Sequence, residues 1–122
     1  MKYKCKIVEI KENDEITILI DNLKITGFSN RGISFDVGIE VTVDIELYDE
    51  LIFAESSAKE SYIKRSGNSL SYFIVGFLNV EEMKIDSIID FSLEPEDLYD
   101  YGYLDGKMIE VDILRFNFEF EK

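Results

Sequence analysis

The segment GIEVTVDIEL, residues 38–47, constrains the fold more than any other stretch of the chain. Ile39, Val41, Val43, Ile45 and Leu47 alternate with Glu40, Thr42, Asp44 and Glu46. Successive side chains of a strand point to opposite faces, so this segment has one apolar and one polar face. Alternation over nine residues specifies a half-buried strand. Its apolar face must be covered by other parts of the chain.

The final residues repeat the pattern. Phe116, Phe118 and Phe120 alternate with Asn117, Glu119 and Glu121, and the row reads as the core face of a half-buried strand. At both ends of the chain the apolar parity flips. Tyr3, Cys5 and Ile7 are followed by Val8 and Ile10, and Ile109, Val111 and Ile113 by Leu114 and Phe116. A one-residue flip is what a β-bulge produces, and a strand that changes its inward parity can bend and serve both halves of a barrel or sandwich.

Between these ends, Ile16, Ile18 and Ile20 are separated from Leu23 and Ile25 by Asp21-Asn22, which can supply the positive φ of a tight hairpin. A single long, bent strand is the competing reading. SNRG, residues 29–32, reads as a turn, and LIFA, residues 51–54, as a further strand. Residues 56–64 fit a short helix or one arm of a hairpin turning at Gly67-Asn68. LSYFIVGFLNV, residues 70–80, is apolar on both faces and reads as a central strand, with Gly76 marking a bulge or a close backbone approach. MKIDSIIDFSL, residues 83–93, reads as one more strand. Pro95 suits the start of a short helical turn, and Asp105-Gly106 a turn into the last strand.

Six to eight short strands and at most two short helices give an all-β, or mostly β, fold: a small barrel or sandwich. The order of elements is compatible with an OB-like barrel, a likeness of architecture that rests on no motif. The chain has 122 residues, the length of one domain, and 46% hydrophobic residues, enough for a real core. Residues 1–122 are read as a single β-rich domain.

Several chemistries are closed to this sequence. It contains no histidine, so a Ser-His or Cys-His nucleophile is out of reach. Seven scattered glycines form no phosphate-binding loop, and the zinc spacings need several Cys or His residues. No cofactor and no metal are expected. The single cysteine, Cys5, allows no internal disulfide, shares parity with Tyr3 and Ile7, and reads as a buried structural thiol. The first residues lack the apolar run of a signal peptide, and no stretch approaches the ~20 apolar residues of a membrane span. A cytoplasmic protein with no membrane partner is the expectation.

Charge points to a partner. With 26 acids against 13 bases the formal net charge is −13. A phosphate backbone is bound by clustered Lys and Arg, so nucleic acid is not expected, whereas a basic protein surface fits. Residues 81–112 hold eleven acids against Lys84 and Lys107, and within them Tyr99, Tyr101 and Tyr103 lie two apart. Tyrosine offers a large contact area and a polar tip, and surrounding carboxylates suit an Arg- or Lys-rich partner. The candidate partner-binding residues are therefore Asp97, Tyr99, Asp100, Tyr101, Tyr103 and Asp105. The competing reading makes these tyrosines the cap of a barrel end. Calcium is the other chemistry open to Glu94, Glu96, Asp97, Asp100 and Asp105, but their spacing does not match an EF-hand loop.

A second acidic surface is expected from Glu40, Asp44 and Glu46, relieved by Lys2, Lys4 and Lys6 if the two strands are neighbours. Two functional readings follow. The first is a non-enzymatic acidic module that binds a basic protein, similar in general character to immunity proteins or inhibitors of basic toxins, or a subunit of an assembly. The second is a small-ligand protein or enzyme that uses carboxylates and tyrosines at a barrel mouth.

Overall fold

The computed structural model describes residues 2–29 and 35–121. The expected turn at SNRG falls largely outside them. The fold is mostly β and divides into two compact units: residues 1–46 with 116–122, and residues 47–115.

The first unit is a closed barrel. Its strands are β1 (Lys2–Ile10), β2 (Glu15–Ile20), β3 (Leu23–Phe28), β4 (Glu40–Tyr48, which runs on into the second unit) and β11 (Arg115–Glu121), in the order β1-β2-β3-β11-β4. β1, β2 and β3 form an antiparallel meander, and β3 runs parallel to β11. A five-stranded closed barrel in this order is OB-like. Asp21 takes φ +52° between the paired residues Ile20 and Leu23, so the hairpin forms where Asp-Asn placed it. In β1 the register to β2 shifts between Ile7 and Glu9, which leaves Val8 as the extra residue of a bulge. The inward row of each strand supplies the core: Cys5 and Ile7, Ile16, Ile18 and Ile20, Ile25, Val43 and Ile45, Phe116 and Phe118. Fully burying one such side chain is worth ~1.5–3 kcal/mol relative to leaving it exposed. The row of β4 begins later than its alternation suggests, because Ile39 is 41% exposed.

The second unit is a six-stranded sheet: β5 (Ala54–Glu55), β6 (Tyr62–Arg65), β7 (Tyr72–Asn79), β8 (Lys84–Asp86), β9 (Asp90–Ser92) and β10 (Met108–Ile113). The order is β5-β10-β7-β8-β9, with β6 also paired to β7. β7 is central, as its apolar run implies. A Cβ on Gly76 would lie 2.7 Å from the Asp86 carbonyl oxygen and 2.8 Å from Ser87 Cβ, so the glycine marks a close approach. Ser87 Oγ donates to the Val75 carbonyl at 2.7 Å on the same stretch. The inner face buries Ile74, Leu78, Ile85, Phe91, Ile109 and Val111.

Several expectations are corrected. Residues 83–93 are not one strand but a tight hairpin, β8 to β9, in which Ile85 and Phe91 are cross-strand partners. Their shared parity came from pairing across a turn at residues 87–89 that carries no glycine or proline. Of LIFA only Ala54 is in a strand, the two-residue β5; Leu51 and Phe53 are buried ahead of it, while Ile52 is 71% exposed. Residues 62–65 take the hairpin alternative, with Gly67 at φ +58° in the turn. β7 is covered on both faces at Ile74 and Val75, each 0% exposed, but not at Phe77, which is 47% exposed. At Leu114, 60% exposed, the parity flip is a break between β10 and β11 and not a bulge. These short pieces raise the strand count to eleven among the described residues.

Candidate functional site

The tyrosine segment is built from turns. Pro95 opens a single helical turn, α1 (Pro95–Leu98), and a 3-10 turn follows at Gly102–Leu104. The Glu94 backbone N–H donates to Asp97 Oδ2 at 2.9 Å, which ties the entry of α1 to its third residue. The Tyr101 N–H donates to the Leu98 carbonyl at 3.0 Å, and the Leu104 N–H to the Tyr101 carbonyl at 2.9 Å. Each of these bonds closes a three-residue step. Side chains three apart on such a backbone share a face. Leu98, Tyr101 and Leu104 therefore turn inward together. Leu98 and Leu104 are buried, and the Tyr101 ring meets the Phe53 ring edge-on, with centroids 5.0 Å apart.

Tyr99 and Tyr103 project outward in consequence, 77% and 70% exposed. The spacing of two that groups three tyrosines in a strand thus separates them here. The signal that carries the geometry is Leu98–Tyr101–Leu104, at intervals of three.

The carboxylates divide in the same way. Asp105 Oδ1 accepts the Val80 N–H at 2.9 Å, and Gly106, at φ +76°, donates its N–H to the Leu78 carbonyl at 2.7 Å. Asp97 serves the helical turn. Asp100 is exposed and engages no group of the protein among the described residues. Of the six candidate residues, Asp97, Tyr101 and Asp105 spend a polar group or a ring on their own fold. Tyr99, Asp100 and Tyr103 are presented to solvent.

Unit 2 holds 15 of the 26 acids and only 6 of the 13 bases, so the charge excess concentrates there. Both lysines of residues 81–112 are committed elsewhere. Lys84 Nζ lies 2.9 Å from Asp90 Oδ2 and 3.1 Å from Glu82 Oε2, contacts that hold its ammonium pKa above the usual lysine value. Lys107 Nζ lies 3.7 Å from Glu55 Oε1. The acids of 94–105 therefore have no lysine of this stretch to neutralise them. Among the described residues, no group of three or more acidic or cysteine side chains converges as a metal site would require.

The other acidic surface is answered within the barrel. β1 and β4 are antiparallel neighbours, with Lys2 opposite Asp44, Lys4 opposite Thr42 and Lys6 opposite Glu40. Lys2 also pairs with Glu121 of β11, and its pKa is raised chiefly by that contact. Opposite charges across strands stabilise modestly, which applies to Glu40 and Asp44, each opposite a lysine, while Glu46 lies beyond the paired residues of β1. Cys5 is 4% exposed, and burial pushes its thiol up to about 11, which leaves it poorly nucleophilic. No helix among the described residues is long and apolar enough to cross a membrane.

No curated protein matches the chain. The model of one family matches residues 1–121, and the chain belongs to that family, described as Uncharacterised conserved protein UCP019853.

Proposed function

We propose that the protein is a non-enzymatic, acidic protein-interaction module that binds a basic partner protein in a reducing compartment such as the cytoplasm, as an inhibitor or immunity-like protein or as an assembly subunit. The observation that carries this reading is the exposure of Tyr99 and Tyr103, at 77% and 70%, on a turn that also bears Asp100 and contains no base. Large aromatic side chains held in water by a pinned backbone are pre-ordered for a partner, since the entropy of fixing the turn is already met by folding. Leu98, Tyr101 and Leu104 do the pinning. Carboxylates around the rings select Arg and Lys on the other side and steer their approach. The sequence's lack of histidine weighs against acid–base catalysis near neutral pH.

The test is capture from the source cell on the immobilised full chain, with wild type compared to a Tyr99→Ala, Tyr103→Ala double variant. The reading expects a basic protein that wild type retains and the double variant loses. Equal retention by both removes this segment from the interface. Substrate turnover abolished by one Asp or Glu substitution in a folded chain replaces the module with an enzyme.

A further inference from the structure

β7 has two unlike faces. Tyr72, Ile74 and Leu78 point into the core of the second unit, while Phe73, Val75 and Phe77 occupy the opposite face. The ladder extends that second face across the sheet. Tyr62 and Glu110 stand opposite Val75, Asp112 stands opposite Phe73, and Asp86 stands opposite Phe77. Paired side chains lie ~4.5–5.5 Å apart at Cβ, so these residues form one continuous surface. Val75 is buried within it, Phe77 is 47% exposed and Tyr62 41%, and the Tyr62 and Phe73 rings are 6.0 Å apart. Asp86, Glu110 and Asp112 form no ion pair among the described residues; Lys64 stands opposite Phe73, and Lys84, two residues from Asp86 on the same face, is held by Asp90 and Glu82.

We infer that this face docks a basic amphipathic helix: a partner segment whose apolar stripe lies over Phe77, Tyr62 and the part-exposed Phe73, and whose Lys or Arg residues reach Asp86, Glu110 and Asp112. Phe73 to Phe77 spans four residue steps, ~13 Å at strand rise, the length of two to two and a half turns of helix. Charge selects the occupant. A second copy of this chain would bring the same three carboxylates against these three, whereas a basic helix pairs them. The inference stands on a surface other than Tyr99 and Tyr103 and does not depend on the reading given above.

The probe is a designed amphipathic peptide of about 18 residues, alternating Leu and Lys at helical spacing, titrated into the isotope-labelled full chain and followed by amide chemical shifts. Two control peptides replace Lys by Glu, or Leu by Ser. The expected result is that the Leu/Lys peptide shifts amides of 73–77 and 108–112, that neither control does, and that Phe77→Ser or Tyr62→Ser weakens binding about tenfold or more. Both substituted side chains are exposed enough for at least one variant to fold. Asp86→Asn with Asp112→Asn should weaken binding more at low salt than at high salt. The Tyr99→Ala, Tyr103→Ala variant should bind the peptide as wild type does. Four results overturn the inference: no binding of the Leu/Lys peptide, equal binding of the Ser/Lys peptide, wild-type affinity in both aromatic variants, or concentration-dependent shifts of these amides without peptide, which would make the occupant a second copy.

Discussion

Gly27 of β3 lies directly beneath the ring of Phe118 on β11: a Cβ at residue 27 would sit 2.6 Å from both Cε2 and Cζ of that ring and 2.7 Å from the Phe116 carbonyl oxygen. The ring can seat only because position 27 has no side chain, so the parallel β3–β11 closure of the barrel depends on this glycine. Gly27→Ala should therefore overpack the barrel and cost ~1–3 kcal/mol, read as a fall in the urea midpoint.

The phenylalanine row is core at two of its three positions. Phe116 is fully buried, Phe118 is 4% exposed, and their rings stack at 6.4 Å with 7° between planes. Phe120, half-buried, meets Phe35 edge-on at 6.3 Å. Phe116→Ala should cost ~3–5 kcal/mol, and Phe120→Ala clearly less. Equilibrium unfolding of the two variants checks the order.

Cys5 makes a pH-dependent contribution. Its thiol titrates near 11 in the folded chain against an ordinary value of 9.0, so the folded state holds the proton longer. That contribution is fully present below about pH 9 and is lost as pH rises toward 11. Between these values wild type should lose stability relative to Cys5→Ala, and the gap in their denaturation midpoints should shrink with rising pH. A gap independent of pH would mean that the thiol is not protected.

The candidate residues should separate into two groups. Tyr101→Ala removes the ring packed on Phe53, and Asp105→Ala leaves the Val80 N–H without its acceptor. Each should lower stability, the second by ~1 kcal/mol. Tyr99→Ala and Tyr103→Ala remove side chains that are mostly in water and should leave stability within ~0.5 kcal/mol of wild type. Thermal melts of the four variants, read alongside partner capture, distinguish the two groups.

Where the polypeptide is regular, its structure could be read from the order of its residues. Alternation marks β4 and β11, Asp21-Asn22 marks a two-residue hairpin, and the extra Val8 marks a bulge, because each has a local steric cause. Pairing over long sequence distances has no such local mark. Nothing near Leu114 announces that β10 belongs to one sheet and β11 to another, and the run at 83–93 reads as a single strand because hairpin partners share parity. The tyrosine segment was found by its composition, but its geometry was not. A period of two suits a strand, whereas this backbone turns in steps of three, which turns the half-buried Tyr101 onto Phe53 and exposes Tyr99 and Tyr103. The second face of β7 was hidden by a different effect: a strand rich in apolar residues on both sides looks covered throughout, and nothing local shows that Val75 is buried while Phe77, two residues on, is 47% exposed.

The central claim is that Tyr99, Asp100 and Tyr103 form the contact with a basic partner, and association and dissociation kinetics test it most directly. A captured partner is mixed with wild type, Asp100→Asn and Tyr103→Ala at two salt concentrations. Exposed charge acts on encounter and is screened by salt, whereas a seated aromatic anchor governs release. The account predicts that Asp100→Asn slows association, with a smaller effect at high salt, and that Tyr103→Ala speeds dissociation by about tenfold or more while leaving association nearly unchanged. If both rates match wild type in both variants, the exposed tyrosines take no part in binding and the account is contradicted.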